Sequence, residues 1–432
     1  ARVIGQSASG PPTPPASVPL TFFAAGGLGG IAFGIAMFLS ASDAVVSPFL
    51  PRVLGAAHFG VLAFLTVTVL GALHQFAPVA AGHRLRSVPA ARITACLFVP
   101  AVWVLALAFG AGRPGLVAPA GLIAFAGLCL AAWNLSGPLS ARGGGVPVIG
   151  LRWAVGLLLA TASMGVLFAF DLEKGWFTLY PRVVAAHAHL GLIGWLGVAY
   201  IAVAEKLWPM FLLSHRKSDA SGKWAVFLTP AGALTLTTGL LSGVATVTAL
   251  GGGLVAMGLG AHLTSLASVI RNRRRSLELL HAFVLASATF LLVAAALAIA
   301  AAFTHDAMRL RLISAEVMAL ICWLTLALIG HAHKVVPFIS WTALRTLGAL
   351  PTGGKPVLFG HLYDGRVARV TFGLAVGGAV LSVSGLVALH GAIMGAGGLA
   401  LAAATLIAMV NLALRPISFY RHRPSVNEGS PA

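Results

Sequence analysis

Charge is scarce in this sequence. Asp, Glu, Lys and Arg make up 9% of its 432 residues, against about 25% in ordinary soluble domains. A soluble globular chain is excluded on that ground. Strict polar–apolar alternation is absent too, which excludes a transmembrane β-barrel. There are three cysteines, Cys96, Cys129 and Cys322. All fall inside apolar runs, where they read as small core residues and not as a disulfide framework or a metal cluster. No basic run is interleaved with aromatics, so the net charge of +18 points to membrane topology and anionic headgroups, with no nucleic-acid partner.

What the chain has in abundance is apolar surface. It is 59% hydrophobic, with a mean hydropathy of +0.95. Runs of roughly 20 apolar residues, each long enough to cross a bilayer as a helix, recur at 20–41, 54–78, 91–110, 115–136, 149–170, 183–210, 224–243, 246–270, 279–303, 312–338, 368–389 and 392–414. The expected fold class is therefore all-α, a polytopic membrane protein with twelve transmembrane helices. Residues 1–19, rich in Pro, Ser and Ala, read as a disordered N-terminal tail. Residues 20–414 form the membrane domain and residues 415–432 a cytoplasmic C-terminal tail. With the N-terminus inside, 22 Lys and Arg fall on the inner side and six on the outer. The positive-inside rule then puts both termini in the cytoplasm, and the bacterial inner membrane is the expected location.

Three spans share an ending: "HQFAP" (His74 to Pro78), "EKLWP" (Glu205 to Pro209) and "HKVVP" (His333 to Pro337). They lie four spans apart. Spans 2 and 6 also match near their starts, in "AHFGVLAF" from Ala57 and "AHLGLIGW" from Ala188. The chain thus reads as three pseudo-repeated groups of four helices.

Ionisable side chains inside a bilayer are costly and mark function by default. Depth sorts them into layers. His58, His187 and His189 lie in the outer part of their spans, while His74, Glu205, His331 and His333 lie near the inner ends. His262 is mid-span and His281 starts span 9. His187 and His189 are about 200° apart around a helix, so one metal takes only one of them, and the repeat pairs His189 with His58. On regular helical geometry Glu205 is about 24 Å and about 160° from His189, on another face. Tyr200 falls about 20° off the His189 face. Two imidazoles at one depth suit the two axial positions of a haem iron. Gly60, Gly191, Gly194 and Gly197 allow close helix packing or leave room for a flat macrocycle. The candidate haem ligands are therefore His58 and His189, with His187 as the other candidate on span 6. His74, His331 and His333 are further candidate metal ligands, and copper is an alternative metal for imidazole. Glu205, Glu316 and Tyr200 form a candidate proton path, with interface anchoring the other reading of the inner layer.

Taken together, twelve spans, three groups of four and histidines on spans 2, 6 and 10 resemble the catalytic subunit of haem–copper oxidases and nitric oxide reductases. "AHAHLGLIGWLG", "KLWPMF" and "HKVVPFISW" are similar to divergent oxidase-like or NnrS-like membrane proteins. The resemblance implies a b-type haem, with His58 at the low-spin-haem position of helix 2 and His187 or His189 on the copper-ligand helix. The His331-x-His333 spacing matches helix 10 of that family, at the wrong depth. Span 7 has no histidine, so the family's copper site is incomplete. The expectation is an oxidoreductase-like haem protein of electron transport or small-gas (NO or O2) binding. Its partners would be the lipid bilayer and a periplasmic, membrane or quinone electron carrier. It would serve alone or as a subunit of a larger respiratory-chain complex. A proton- or ion-coupled secondary transporter, or a non-catalytic subunit of a respiratory complex, is the alternative.

Overall fold

A computed structural model of the chain describes residues 13–141, 144–215, 219–351 and 355–421. Twelve helices in it are long and apolar enough to cross a membrane, and no strand occurs among the described residues. The protein is an all-α, polytopic integral membrane protein. The helices are α1 (Ser17–Leu39), α2 (Pro51–Ala81), α3 (Val88–Gly110), α4 (Pro114–Leu139), α5 (Gly145–Lys174), α6 (Pro181–Leu212), α7 (Ala220–Ser242), α8 (Ala245–Arg271), α9 (Leu279–Ala302), α10 (Asp306–Thr346), α11 (Gly365–Ala388) and α12 (Gly391–Arg421).

Helices carry this chain because hydrocarbon offers the backbone no hydrogen-bond partner, and a helix satisfies its own. The ends follow local chemistry. Pro51 and Pro181 open α2 and α6, where a missing N–H costs nothing. Gly175 and Gly243 close α5 and α7 in the left-handed conformation that glycine adopts without strain. Two expected boundaries move. Helix α1 starts at Ser17, inside the expected N-terminal tail, and α12 runs on to Arg421. Residues 1–12 and 422–432 of the expected tails lie outside the described residues.

Asp364 caps α11. Its carboxylate accepts hydrogen bonds from the Arg366 and Val367 amides at 2.7 and 3.3 Å, and Arg415 lies 3.8 Å away. The two amides foremost hold its carboxyl below the usual carboxylate range against desolvation, and the Arg415 and Arg366 charges add smaller contributions. A lowered folded value means stability that is complete above the ordinary carboxylate value and lost as pH falls through the folded one. Asp364→Asn, which keeps a capping oxygen, is therefore expected to flatten the acid-side decline of the melting temperature. Thermal melts from neutral pH to below pH ~4 check it; an unchanged acid limb counts against this role.

The chain divides into two compact units. The first comprises Ala1–Phe23, Val69–Val104 and Pro114–Arg275, and the second Ala24–Thr68, Leu105–Arg113 and Ser276–Ala432. In the first, α6 packs against α5, α7 and α8, and α7 pairs with α8. In the second, α10 packs against α9, α11 and α12, and α11 pairs with α12. Of their central stretches, α6 and α10 bury 72% and α2 buries 61%, while the other nine bury 28–50%. The helices that carry the histidine motifs are thus the enclosed ones, and the rest present more of their surface outward.

Candidate functional site

Helices α2 and α6 share a local backbone departure. In each, the α-helical hydrogen bonding gives way to a π-helical stretch one residue after a histidine. The stretches are Phe59–Thr66 after His58 and Leu190–Gly197 after His189, and each is followed by 15 α-helical residues. Such stretches insert extra residues into the turn and concentrate at functional sites. The first lies against α10 within the second unit, and the other against α5 and α7 within the first. Helix α10 carries no such interruption. The matching "AHFGVLAF" and "AHLGLIGW" therefore encode a matching backbone. A further signal was available upstream, since both helices begin Pro-Arg-Val, at Pro51 and Pro181.

The π stretch overturns the geometry drawn from a regular helix. One residue inserted into a turn rotates the remainder of the helix by roughly 100°. The about 160° expected between His189 and Glu205 therefore does not hold, and the two cannot be assigned to opposed faces. Tyr200 and Glu205 both face α8. The Tyr200 ring meets His262 edge to face at 5.5 Å, and Ser265 donates a hydrogen bond to Glu205 Oε1 at 2.7 Å.

The π-side histidines are held alike. His58 Nδ1 lies 2.7 Å from the Leu54 carbonyl, and His189 Nδ1 2.7 Å from the Ala185 carbonyl. A carbonyl only accepts, so Nδ1 carries the proton and Nε2 keeps the lone pair of a metal-binding imidazole. The His58 ring stacks on Phe109 with centroids 4.8 Å apart. His187 turns elsewhere. Its ring meets Phe168 at 5.7 Å and covers Gly165, both on α5. Two of the neighbouring glycines allow close packing. A Cβ at Gly60 would strike the Phe33 ring at 2.8 Å, and one at Gly191 would sit 3.2 Å from Thr161. His58 belongs to the second unit and His189 to the first.

The proline-side layer repeats three times. His74 stacks on Phe22 at 5.2 Å and 15°, and His333 on Phe283 at 5.8 Å and 20°. Three residues before each histidine is a glycine. A Cβ at Gly71 would lie 2.5 Å from the Phe22 Cβ, and one at Gly330 2.5 Å from the Phe283 Cβ. In the middle repeat the third residue back is Ala202, which faces Gly150 at 2.7 Å from that glycine's would-be Cβ. Phe22, Gly150 and Phe283 are the sixth, sixth and fifth residues of α1, α5 and α9. The carboxylate repeat is therefore the one without the aromatic.

Pro78, Pro209 and Pro337 do not end their helices, which run on to Ala81, Leu212 and Thr346. Proline has no N–H, so the carbonyl four residues earlier loses its helical donor. Those carbonyls belong to His74, Glu205 and His333. Interface anchoring of this layer is excluded by burial: His74, Glu205 and His333 are 0, 8 and 3% exposed. Both histidines again place Nδ1 on the carbonyl four back, at 2.7 and 2.8 Å, and their Nε2 atoms are buried without a hydrogen-bond partner.

Around His333, the second unit gathers ionisable groups that lie apart in the sequence. Lys334 donates to Glu278 at 2.6 Å and lies 5.1 Å from the Phe359 ring centre. Glu278 caps α9 jointly with His281. His331 Nδ1 sits 2.7 Å from the Ala327 carbonyl. Tyr363 meets His333 edge to face at 5.7 Å; desolvation, then Glu278, raises its hydroxyl above the usual value. Glu278→Ala removes both this ion pair and the α9 cap and is expected to cost about 1–2 kcal/mol, read as a lower melting temperature, with Lys334→Met, which keeps the cap, costing less. Equal losses in both would count against the contribution of the cap. Glu316 is buried in α10, 4% exposed. Among the described residues no group of three or more His, Cys, Asp or Glu is arranged to hold a metal ion.

No protein-family model matches the chain, and no curated protein matches it.

Proposed function

We propose that the chain is a haem-binding redox membrane protein that resembles haem–copper oxidase subunit I. It binds a b-type haem in the outer half of the membrane, and His58 and His189 are the candidate residues to offer its iron a nitrogen. The observation that carries this reading is the repeated device at those two histidines. Each has Nδ1 anchored to a backbone carbonyl, so that Nε2 is the nitrogen with a lone pair for a metal, and each is followed at once by a π-helical stretch. Each imidazole, with its Nε2 lone pair, is the kind of donor a haem iron takes. A haem held there would supply one-electron exchange or small-gas binding at its iron.

The residues around it do the protein's share. The Leu54 and Ala185 carbonyls fix the tautomer and turn of each imidazole, and a hydrogen-bonded Nδ1–H makes Nε2 the more basic donor. The basic-residue count supports cytoplasmic termini in a bacterial inner membrane, so the partner at the outer half would be a periplasmic or membrane electron carrier or a quinone. Copper at the same imidazoles is the alternative metal. A visible absorption spectrum with metal analysis on protein purified from its own membrane tests the proposal. A Soret band, a reduced alpha band and stoichiometric iron are expected. A colourless protein without iron ends it, and copper without iron replaces it.

A further inference from the structure

We propose that Glu205, Ser265 and His262 form a proton-binding site buried among α6, α7 and α8, which loads from the membrane face where α6 ends. This rests neither on the haem reading nor on its ligands.

The argument starts from the threefold repeat. Phe22 and Phe283 cover the buried ionisable residue of two repeats. At the same place in the third stands Gly150, packed on Ala202. On α7, Gly222 lets the carboxylate lie close, since a Cβ there would overlap it. A cavity of about 610 Å³, lined by Gly145, Pro147, Lys206, His215 and Asp219, reaches Glu205 and gives it water-sized access.

Beyond Glu205 the polar groups continue inward. Ser265 donates to Oε1 at 2.7 Å. One turn further along α8 is His262, 1% exposed, and among the described residues neither of its ring nitrogens has a hydrogen-bond partner. Buried polar atoms are nearly always paired, and each exception needs an explanation. Two on one imidazole, a turn from the serine that holds a buried carboxylate, are explained by a group that gains and loses a proton. The Tyr200 ring edge closes the far side at 5.5 Å.

The chemistry balances within the site. Hydronium in the cavity gives its proton to a Glu205 oxygen and leaves as water. The proton then rests either on Glu205, with His262 neutral, or on His262, with Glu205 ionised, and Ser265 donates to the carboxylate. Among the described residues, Lys206, His215 and Asp219 line the cavity, and Lys223 follows Gly222 on α7. On α5, Arg152 donates to the Leu139 and Ala141 carbonyls at 2.6 and 2.9 Å, and Arg271 ends α8.

Infrared pH-difference spectra of the full chain in lipid test this directly, with or without haem present. A protonated-carboxyl C=O band that shifts in D2O is expected to appear on acidification and to be lost in Glu205→Gln. In His262→Gln its midpoint should rise by about one pH unit, because the competing imidazolium is gone. Ser265→Ala keeps the carboxyl and should move the band's frequency by removing its hydrogen bond, so the site is read even if Glu205→Gln fails to fold. A band that survives Glu205→Gln overturns the proposal. So does a midpoint unmoved in His262→Gln together with a frequency unmoved in Ser265→Ala.

Discussion

His58→Ala and His189→Ala are each expected to abolish the Soret and reduced alpha bands of the purified protein, while His187→Ala leaves them. The three substitutions remove the same side chain from nearly the same depth, so their difference reports geometry and not polarity. His58 and His189 hold Nδ1 on the carbonyl four residues back and precede the π stretches. His187 is committed to α5, over Gly165 and against Phe168. Loss of one axial imidazole removes a bond that the apolar surroundings do not replace, and even the hydrogen bond that orients such a ligand is worth about 10–100-fold in metal affinity. Full colour in both His58→Ala and His189→Ala would end the assignment. Loss confined to His187→Ala would move the ligand by two residues along α6.

The second large effect separates two glycine-to-alanine changes that a sequence alone treats alike. Gly330→Ala puts a methyl group 2.5 Å from the Phe283 Cβ, a separation no real pair of carbons tolerates. Both atoms sit close to backbone, so α9 and α10 must part and the His333–Phe283 stack with them. A loss of about 3 kcal/mol, at the upper end for overpacked cores, is expected. Gly373→Ala on α11 meets nothing within 4 Å. There the change only lowers backbone entropy in the unfolded chain and is expected to be neutral or stabilising by up to about 1 kcal/mol. Melting temperatures of the two variants in one detergent check this. A drop in both, or in neither, would show that the close approach at Gly330 is not what holds this layer.

Much of the candidate site was legible before the structure. The pentads ending in Pro78, Pro209 and Pro337 identified the positions of His74, Glu205 and His333, and the matching "AHFG" and "AHLG" identified His58 with His189. Their partners were not. Phe22, Gly150 and Phe283 sit on different helices from the residues they meet, and nothing in an apolar run distinguishes one Phe or Gly from the next. His262 and Ser265 were visible only as a mid-span histidine and a nearby serine. Their relation to Tyr200 and Glu205 exists only because α8 packs on α6.

The sequence by itself determined the architecture. Long apolar runs in a chain 9% charged have one stable outcome in a bilayer, because each helix satisfies its own backbone and length alone decides whether it crosses. The tertiary structure decided direction. Regular helical geometry sets one angle between His189 and Glu205, and the π stretch at Leu190–Gly197 changes it by a fraction of a turn that no apolar pattern records. It also decided which buried polar group is covered and which is reached. Phe22 and Phe283 stack on His74 and His333, while a cavity reaches Glu205, because a side chain's surroundings are set by neighbouring helices and not by its neighbours in the chain.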